Sequence, residues 1–284
     1  MKKIIVLLLL FSSTSFSNSL SGKDDFCHDR SSRIRTLTEI RSDENRLAFG
    51  NAAGGLGIGL CWWVARLQRH MTETLVFEGG SKHYTDCPLI PRNDLERLFA
   101  RTLNHQITHV QCYNNLHDFT LAHKNQLLRL VSEWQVQDTY NLHFILGLKG
   151  SPRIRPEKLA ANIEEIYHLV KVRHQITYAM LQLPGVASHA WLVIDVVRTN
   201  TGFILDVLDS NFPKHILRVE YKYGNGEISL PRDLVEKIGP PTPNRPWSIF
   251  KDKGPPYSEF ALFPMYISEG YRLQRSAMNY CSRP

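Results

Sequence analysis

The sequence predicts an α+β fold with its helices first and an antiparallel sheet after them. Three observations carry that prediction. Up to about residue 172 apolar residues recur at helical spacing. From about residue 173 to 235 they give way to short segments rich in β-branched and aromatic residues, parted by turn residues. The connections between those segments are short, which joins neighbouring strands antiparallel. An apolar content of 43% with 21% charged residues is ordinary for a globular protein.

The chain opens MKKIIVLLLLFSSTSFSNSL. Lys2 and Lys3 precede an apolar run from Ile4 to Phe11, and Ser15-Phe16-Ser17 offers a cleavage site, the pattern of a secretory signal peptide. The run is too short to cross about 30 Å of hydrocarbon. Residues 1–17 are read as the leader and 18–284 as one domain. That domain divides into a helical half at about 36–172, a sheet half at about 173–235 and an irregular tail at 236–284. No later stretch is apolar enough to span a membrane, so no stable membrane insertion is expected after cleavage. The expected location is periplasmic or secreted.

Residues 18–35 are polar, and 36–53 carry mixed charge suited to a short helix. Leu60, Val64, Leu67 and Met71 set a helix over Cys61–Met71. Glu78-Gly79-Gly80-Ser81 reads as a turn. Asn93 caps a second helix running to Leu103, with Glu96 placed to reach back. A third is expected over Asp118–Val136, burying Leu121, Leu127, Leu128, Val131 and Trp134. Pro156 suits the first turn of a fourth, ending near Val170. Strands follow at 175–183, 189–198, 202–208 and 216–223. Pro184-Gly185, Thr199 to Gly202, Asn211-Phe212-Pro213 and Gly224-Asn225-Gly226 punctuate them. Gly239 to Pro243 opens the tail.

The formal charge is +7, two units of which belong to Lys2 and Lys3. The remainder is mildly basic, and with no arginine-rich run or recognition motif nucleic acid is excluded as a partner. Five cysteines, Cys27, Cys61, Cys87, Cys112 and Cys281, lie beyond the leader, where oxidising conditions favour pairing. An odd count leaves one thiol over without saying which. The absence of Cys-x-x-Cys argues against a zinc knuckle, a thioredoxin-type site or covalent haem. His105 and His109 have the spacing of a zinc peptidase pair, but the position of its base holds Gln106, which cannot take a proton. His28, His70, His117 and His174 show no ligand pattern. Neither a metal nor any other cofactor is expected.

Two stretches carry chemistry. In the first, Gly54, Gly55, Gly57 and Gly59 lead into Leu60 and then Cys61-Trp62-Trp63. A thiol at a first helical turn sits beside unpaired backbone amides that stabilise a thiolate. In the second, His189 opens one strand and Asp209 closes the next. A hairpin turning near Asn200 brings the two together, so a carboxylate can hold one ring nitrogen while the other faces a thiol. Asn211 shares the Asp209 face. Asp206 should point to the opposite face, and Asp195 lies further along its strand.

Gly59-Leu60-Cys61-Trp62-Trp63, Ser188-His189-Ala190-Trp191 and Leu208-Asp209-Ser210-Asn211, in that order, resemble the papain-like cysteine peptidase superfamily. The 128 positions from Cys61 to His189 suit it. The resemblance implies a papain-like fold with a nucleophile helix packed on the sheet. It implies thiol hydrolysis of peptide or amide bonds through a thioester. Cys61 would attack, His189 would act as base and then acid, and Asp209 would orient the ring, with Asn211 as the alternative orienter. Cys61 is then the unpaired thiol, leaving Cys27, Cys87, Cys112 and Cys281 for two disulfides. The Gln that such enzymes place before the cysteine is missing, so the oxyanion donor falls to Asn51 or to the backbone N–H groups of the glycine loop and of Cys61. A peptide or protein substrate is expected, with peptidoglycan stem peptides included because the chain is exported and basic. Two other classes fit the same pattern: a non-catalytic papain-like binding protein, and a transglutaminase-like acyl transferase.

Overall fold

The computed structural model describes residues 22–27, 35–51, 60–80, 83–140, 151–183, 188–230 and 259–283. The leader, the glycines at 54–59 and the Pro184-Gly185 turn lie outside them, as does the start of the tail.

Two short helices, α1 (Gly22–Cys27) and α2 (Arg35–Glu39), precede the long α3 (Cys61–Thr74). α3 begins where the apolar stripe predicts, and Leu60, Val64, Leu67 and Met71 are all buried. It feeds directly into β1 (Leu75–Gly80), then α4 (Arg92–Leu103) and β2 (Thr108–Cys112). β1 and β2 pair in parallel, a connection that α4 makes possible by crossing between them. Neither strand is among those the sequence predicts, and β2 is only five residues long.

The single helix expected over 118–136 is two, α5 (Leu116–Ala122) and α6 (Lys124–Tyr140). Asn115 starts α5 early, its side chain accepting from the Asp118 N–H at 2.8 Å. His123 separates the two helices. Its buried ring contacts the Tyr113 hydroxyl at 3.1 Å and Gln126 at 2.8 Å. α7 (Pro156–Tyr167) begins at its proline as expected and ends in a wider turn over His168–Val172.

The remaining strands are β3 (Thr177–Gln182), β4 (Ser188–Arg198), β5 (Gly202–Asp209), β6 (Ile216–Lys222), β7 (Ile228–Ser229) and β8 (Glu259–Pro264). They form one sheet in the order β6-β5-β4-β3-β8-β7, antiparallel at every step. With the helices this is an α+β architecture. The tail read as irregular is a correction: β8 pairs with β3 inside the sheet, and a helix, α8 (Ile267–Cys281), follows it. β8 (EFALFP) reads as a strand only once β3 offers it an edge.

Helices cover both faces of the sheet. Leu159, Ile163 and Ile166 of α7 pack on Trp191, Val193 and Val207. On the opposite face Ala65 of α3 meets Ala190, Leu192 and Ile194. A small side chain at position 65 lets the helix come close to β4. Disulfides join Cys27 to Cys281 and Cys87 to Cys112, and Cys61 alone remains a thiol. The bridges fit an oxidising compartment. Among the described residues no helix is long and apolar enough to cross a membrane.

Candidate active site

α3 starts at Cys61, with Leu60 as its N-cap and no side chain capping it. Its first amides therefore have no partner within the helix. The thiol is buried, 4% exposed. β4 starts one residue before His189, whose ring is fully buried. Trp62 ties the two elements together, its indole N–H donating to the Ser188 hydroxyl at 3.1 Å. The Tyr178 hydroxyl on β3 donates to the Trp62 carbonyl at 3.3 Å.

His189 Nε2 donates to Asp209 Oδ1 at 2.7 Å. The ring also takes the Cys61 thiol as a hydrogen-bonding and electrostatic partner. Since Asp209 holds Nε2, Nδ1 is the ring nitrogen left for the thiol. Cys61, His189 and Asp209, taken from a helix and two adjacent strands, thus form one chain of contacts. Burial alone would lower the His189 pKa; the Asp209 carboxylate and then Cys61 outweigh it and raise it to about 10. Burial likewise opposes ionisation of Asp209. His189, the Asn211 backbone N–H and the Trp191 indole together overcome it and lower that carboxyl below its ordinary value.

The register departs from simple hairpin counting. The residue directly across from Asp209 is Trp191, and His189 reaches the carboxylate diagonally. Trp191 Nε1–H donates to Asp209 Oδ2 at 2.8 Å, and the Asn211 N–H donates to Oδ1 at 2.7 Å. Asn211 does not turn away after the strand; its amide also comes within 3.1 Å of His189 Nε2. Asn51 lies behind it. Its side chain donates to Asn211 Oδ1 at 2.8 Å and its N–H to the Ser210 carbonyl at 2.6 Å. Gly50 permits that approach, since a Cβ there would fall 2.5 Å from the same carbonyl. The Asn51 amide is thus turned toward Asn211.

Asp195 and Asp206 stand apart from this chain. They pair across the ladder, and Arg41 bridges them at 3.1 and 2.9 Å. His105 and His109 share no helix face, contrary to the i, i+4 reading. His105 follows α4 in a left-handed turn with φ 61°, and His109 lies on β2 between Glu78 and Tyr280.

A different trio, His70, His105 and Glu269, brings three possible ligand atoms within 4.8 Å of one another. Its electrostatics disfavour a metal. Glu269 already receives Arg66 at 2.6 Å on Oε1 and the buried Arg69 on Oε2, with His70 Nε2 3.1 Å from Oε1. Burial would raise the Glu269 pKa; His70, Arg69 and Arg66 instead hold it well below the carboxylate range. His105 is lowered to about 4, by burial first and then by His70. A dication here would meet two guanidiniums whose counter-charge is already used. The cluster clamps α3 to α8.

Trp191 is the site residue that sequence reasoning passed over. It stands two residues after His189 on a strand, which puts both on one face. Comparisons with family models, with curated proteins and with solved structures found no match for this chain.

Proposed function

We propose that the protein is an exported papain-like thiol hydrolase acting on peptide or amide bonds, with cell-envelope peptides as its substrate class. The observation that carries this reading is the buried chain from the Cys61 thiol through His189 to Asp209. The Cys61 proton passes to His189, and the sulfur attacks the scissile carbonyl carbon. The backbone N–H of Cys61, unpaired within α3, faces the developing oxyanion. The C–N bond breaks as His189 returns the proton to the leaving amine, which leaves a thioester on Cys61. His189 then takes a proton from water, whose oxygen attacks the thioester and releases a carboxylic acid. Asp209 holds the ring and favours the imidazolium throughout.

The test is intact-mass trapping with the native protein and a panel of peptides and muropeptides, run beside Cys61→Ala. An acyl adduct mapped to Cys61, with product formation lost in Cys61→Ala, supports the proposal. Turnover that survives in Cys61→Ala sinks it. Turnover that requires an added amine, with a new amide as product, replaces hydrolysis by acyl transfer.

A further inference from the structure

We infer that Trp191 is a positioning residue of this site, acting through Asp209. The inference rests on the thiol-hydrolase reading above. The juxtaposition behind it is that Trp191 sits directly across the ladder from Asp209 and donates its indole N–H to Oδ2 at 2.8 Å, while His189 holds Oδ1 at 2.7 Å.

Asp209 is 1% exposed, so its charge cannot draw on water. A buried carboxylate stays ionised only if its lone pairs are met by donors. Oδ1 has two, the His189 ring and the Asn211 N–H. Trp191 serves Oδ2 from the opposite strand. Donors on both oxygens fix the plane of the carboxylate. That plane decides whether Oδ1 stays in line with Nε2, and through the ring whether Nδ1 stays aimed at Cys61. The donor is itself rigid. Trp191 is fully buried and packs edge-on to Phe260 of β8, ring centroids 4.9 Å apart. The indole is fixed by the sheet on one side and by the α7 core on the other.

The other described groups near the carboxylate have contacts of their own. Arg46, which lines a small cavity beside Asp209 and Ser210, pairs with Asp43 and donates to the Pro213 carbonyl. From α3 Cys61 acts on Asp209 through His189, and from β3 Tyr178 donates to the Trp62 carbonyl. Ser210 follows Asp209, and its backbone carbonyl accepts from Asn51.

The experiment is the pH profile of Cys61 alkylation by iodoacetamide in the full mature chain. It compares wild type, Trp191→Phe, Asp209→Asn and the double variant. Trp191→Phe keeps the aromatic packing and removes the donor. The expected result is a loss of about tenfold in alkylation rate at pH 6 and a rise of about one unit in the pH at which alkylation begins, as for one hydrogen bond to a charged group. In the Asp209→Asn background the same change should cost less than about twofold, because its target is gone. An equal loss in both backgrounds would mean that Trp191 only supports the sheet. An unchanged profile in Trp191→Phe would overturn the inference outright. If the phenylalanine variant does not fold, benzothienylalanine placed at 191 alone retains the shape without the N–H and is held to the same two outcomes. The wild-type curve tests the parent reading separately: a Cys61 that alkylates only as an ordinary exposed thiol does would sink the triad, whatever Trp191 does.

Discussion

Replacing Asp209 by Asn removes a charge from a fully buried site while keeping its shape. The His189 ring has no solvent contact, so its charged form depends on its neighbours. Its pKa stands at about 10 against an ordinary 6.5, which at about 1.4 kcal/mol per unit is roughly 5 kcal/mol in favour of the imidazolium. Burial works against that figure, and Cys61 supplies part of it. If Asp209 supplies only about half, Asp209→Asn should reduce the thiolate–imidazolium population about a hundredfold. The assay is iodoacetamide alkylation of Cys61 at pH 6, located by peptide mapping, with Asn211→Ala beside it. The asparagine variant should lose about a hundredfold and Asn211→Ala less than tenfold. Stability supplies an independent sign. The ring's pKa rises on folding, so its contribution is complete below about pH 6.5 and fades as pH climbs to about 10. Denaturant unfolding of wild type should therefore weaken across that window more than that of Asp209→Asn. Equal alkylation in the two proteins, or a larger loss in Asn211→Ala, would refute the assignment of Asp209 as the group that orients the ring.

Glu269→Gln should destabilise the fold by about 3–5 kcal/mol in urea unfolding, because Arg66 and the buried Arg69 lose their shared counter-charge. The Glu269 pKa is depressed on folding, so its contribution is present above about 4.5 and lost as pH falls below it. Wild type should thus lose part of its advantage between about pH 4.5 and pH 3 and the rest only in stronger acid, and a gap no smaller at pH 3 than at pH 6 would contradict this. Replacing Cys27 and Cys281 together by Ser should cost about 2–5 kcal/mol and open α1 and the end of α8 to hydrogen exchange, while Cys61 alkylation is unchanged; lost alkylation would mean that the bridge supports the site itself. Chelation should leave Cys61 alkylation and the thermal midpoint where they were, since Arg66 and Arg69 occupy Glu269; a fall reversed by zinc would establish a metal at His70, His105 and Glu269.

What the sequence made legible was local. α3, α7 and β3 to β6 lie where apolar period, proline and turn residues put them, because each carries its own signal over most of its length; α4 ends where expected, but Pro91 and not Asn93 is its N-cap, and Glu96 pairs with Arg92 rather than reaching back to a cap. The elements that escaped depend on distant partners. β1, β2 and β8 are short, and their status as strands comes from pairing with chain that is far away in sequence or across a helix. The break at His123 has the same origin, since it follows from a buried ring contacting Tyr113 and Gln126 rather than from any helix breaker. Cys61, His189 and Asp209 could be picked out because thiol, imidazole and carboxylate fell at element ends. Trp191 could not, because a tryptophan on a buried strand reads as core until a carboxylate is found opposite its N–H.

The register of β4 on β5 decides which carboxylate can serve His189. Beyond the hairpin the ladder runs Arg198↔Phe203, Val197↔Ile204, Val196↔Leu205 and Asp195↔Asp206; from Val193↔Val207 onward it is displaced by one residue. Ile194 is the residue inserted. An extra residue on one strand reverses the alternation beyond it, which is why Val193 and Val196, three apart, both enter the α7 core while Ile194 enters the α3 core. Had the ladder continued unshifted, Asp209 would keep the face of Val207 but stand across from Leu192, and Trp191 and His189 would fall on the opposite face, the one that packs against Ala65 of α3. Trp191 and His189 would then look toward Ser210 and the turn beyond it. The extra residue on β4 turns Trp191 and His189 onto the face of Asp209, which brings the carboxylate within reach of the ring. Asp206 stays on the other face, where Arg41 and Arg218 neutralise it. Counting residues from Asn200 put Asp209 near His189, where the two are in contact, but it could not supply the bulge that turns His189 and Trp191 onto the Asp209 face, because that depends on which of two apolar cores takes Ile194.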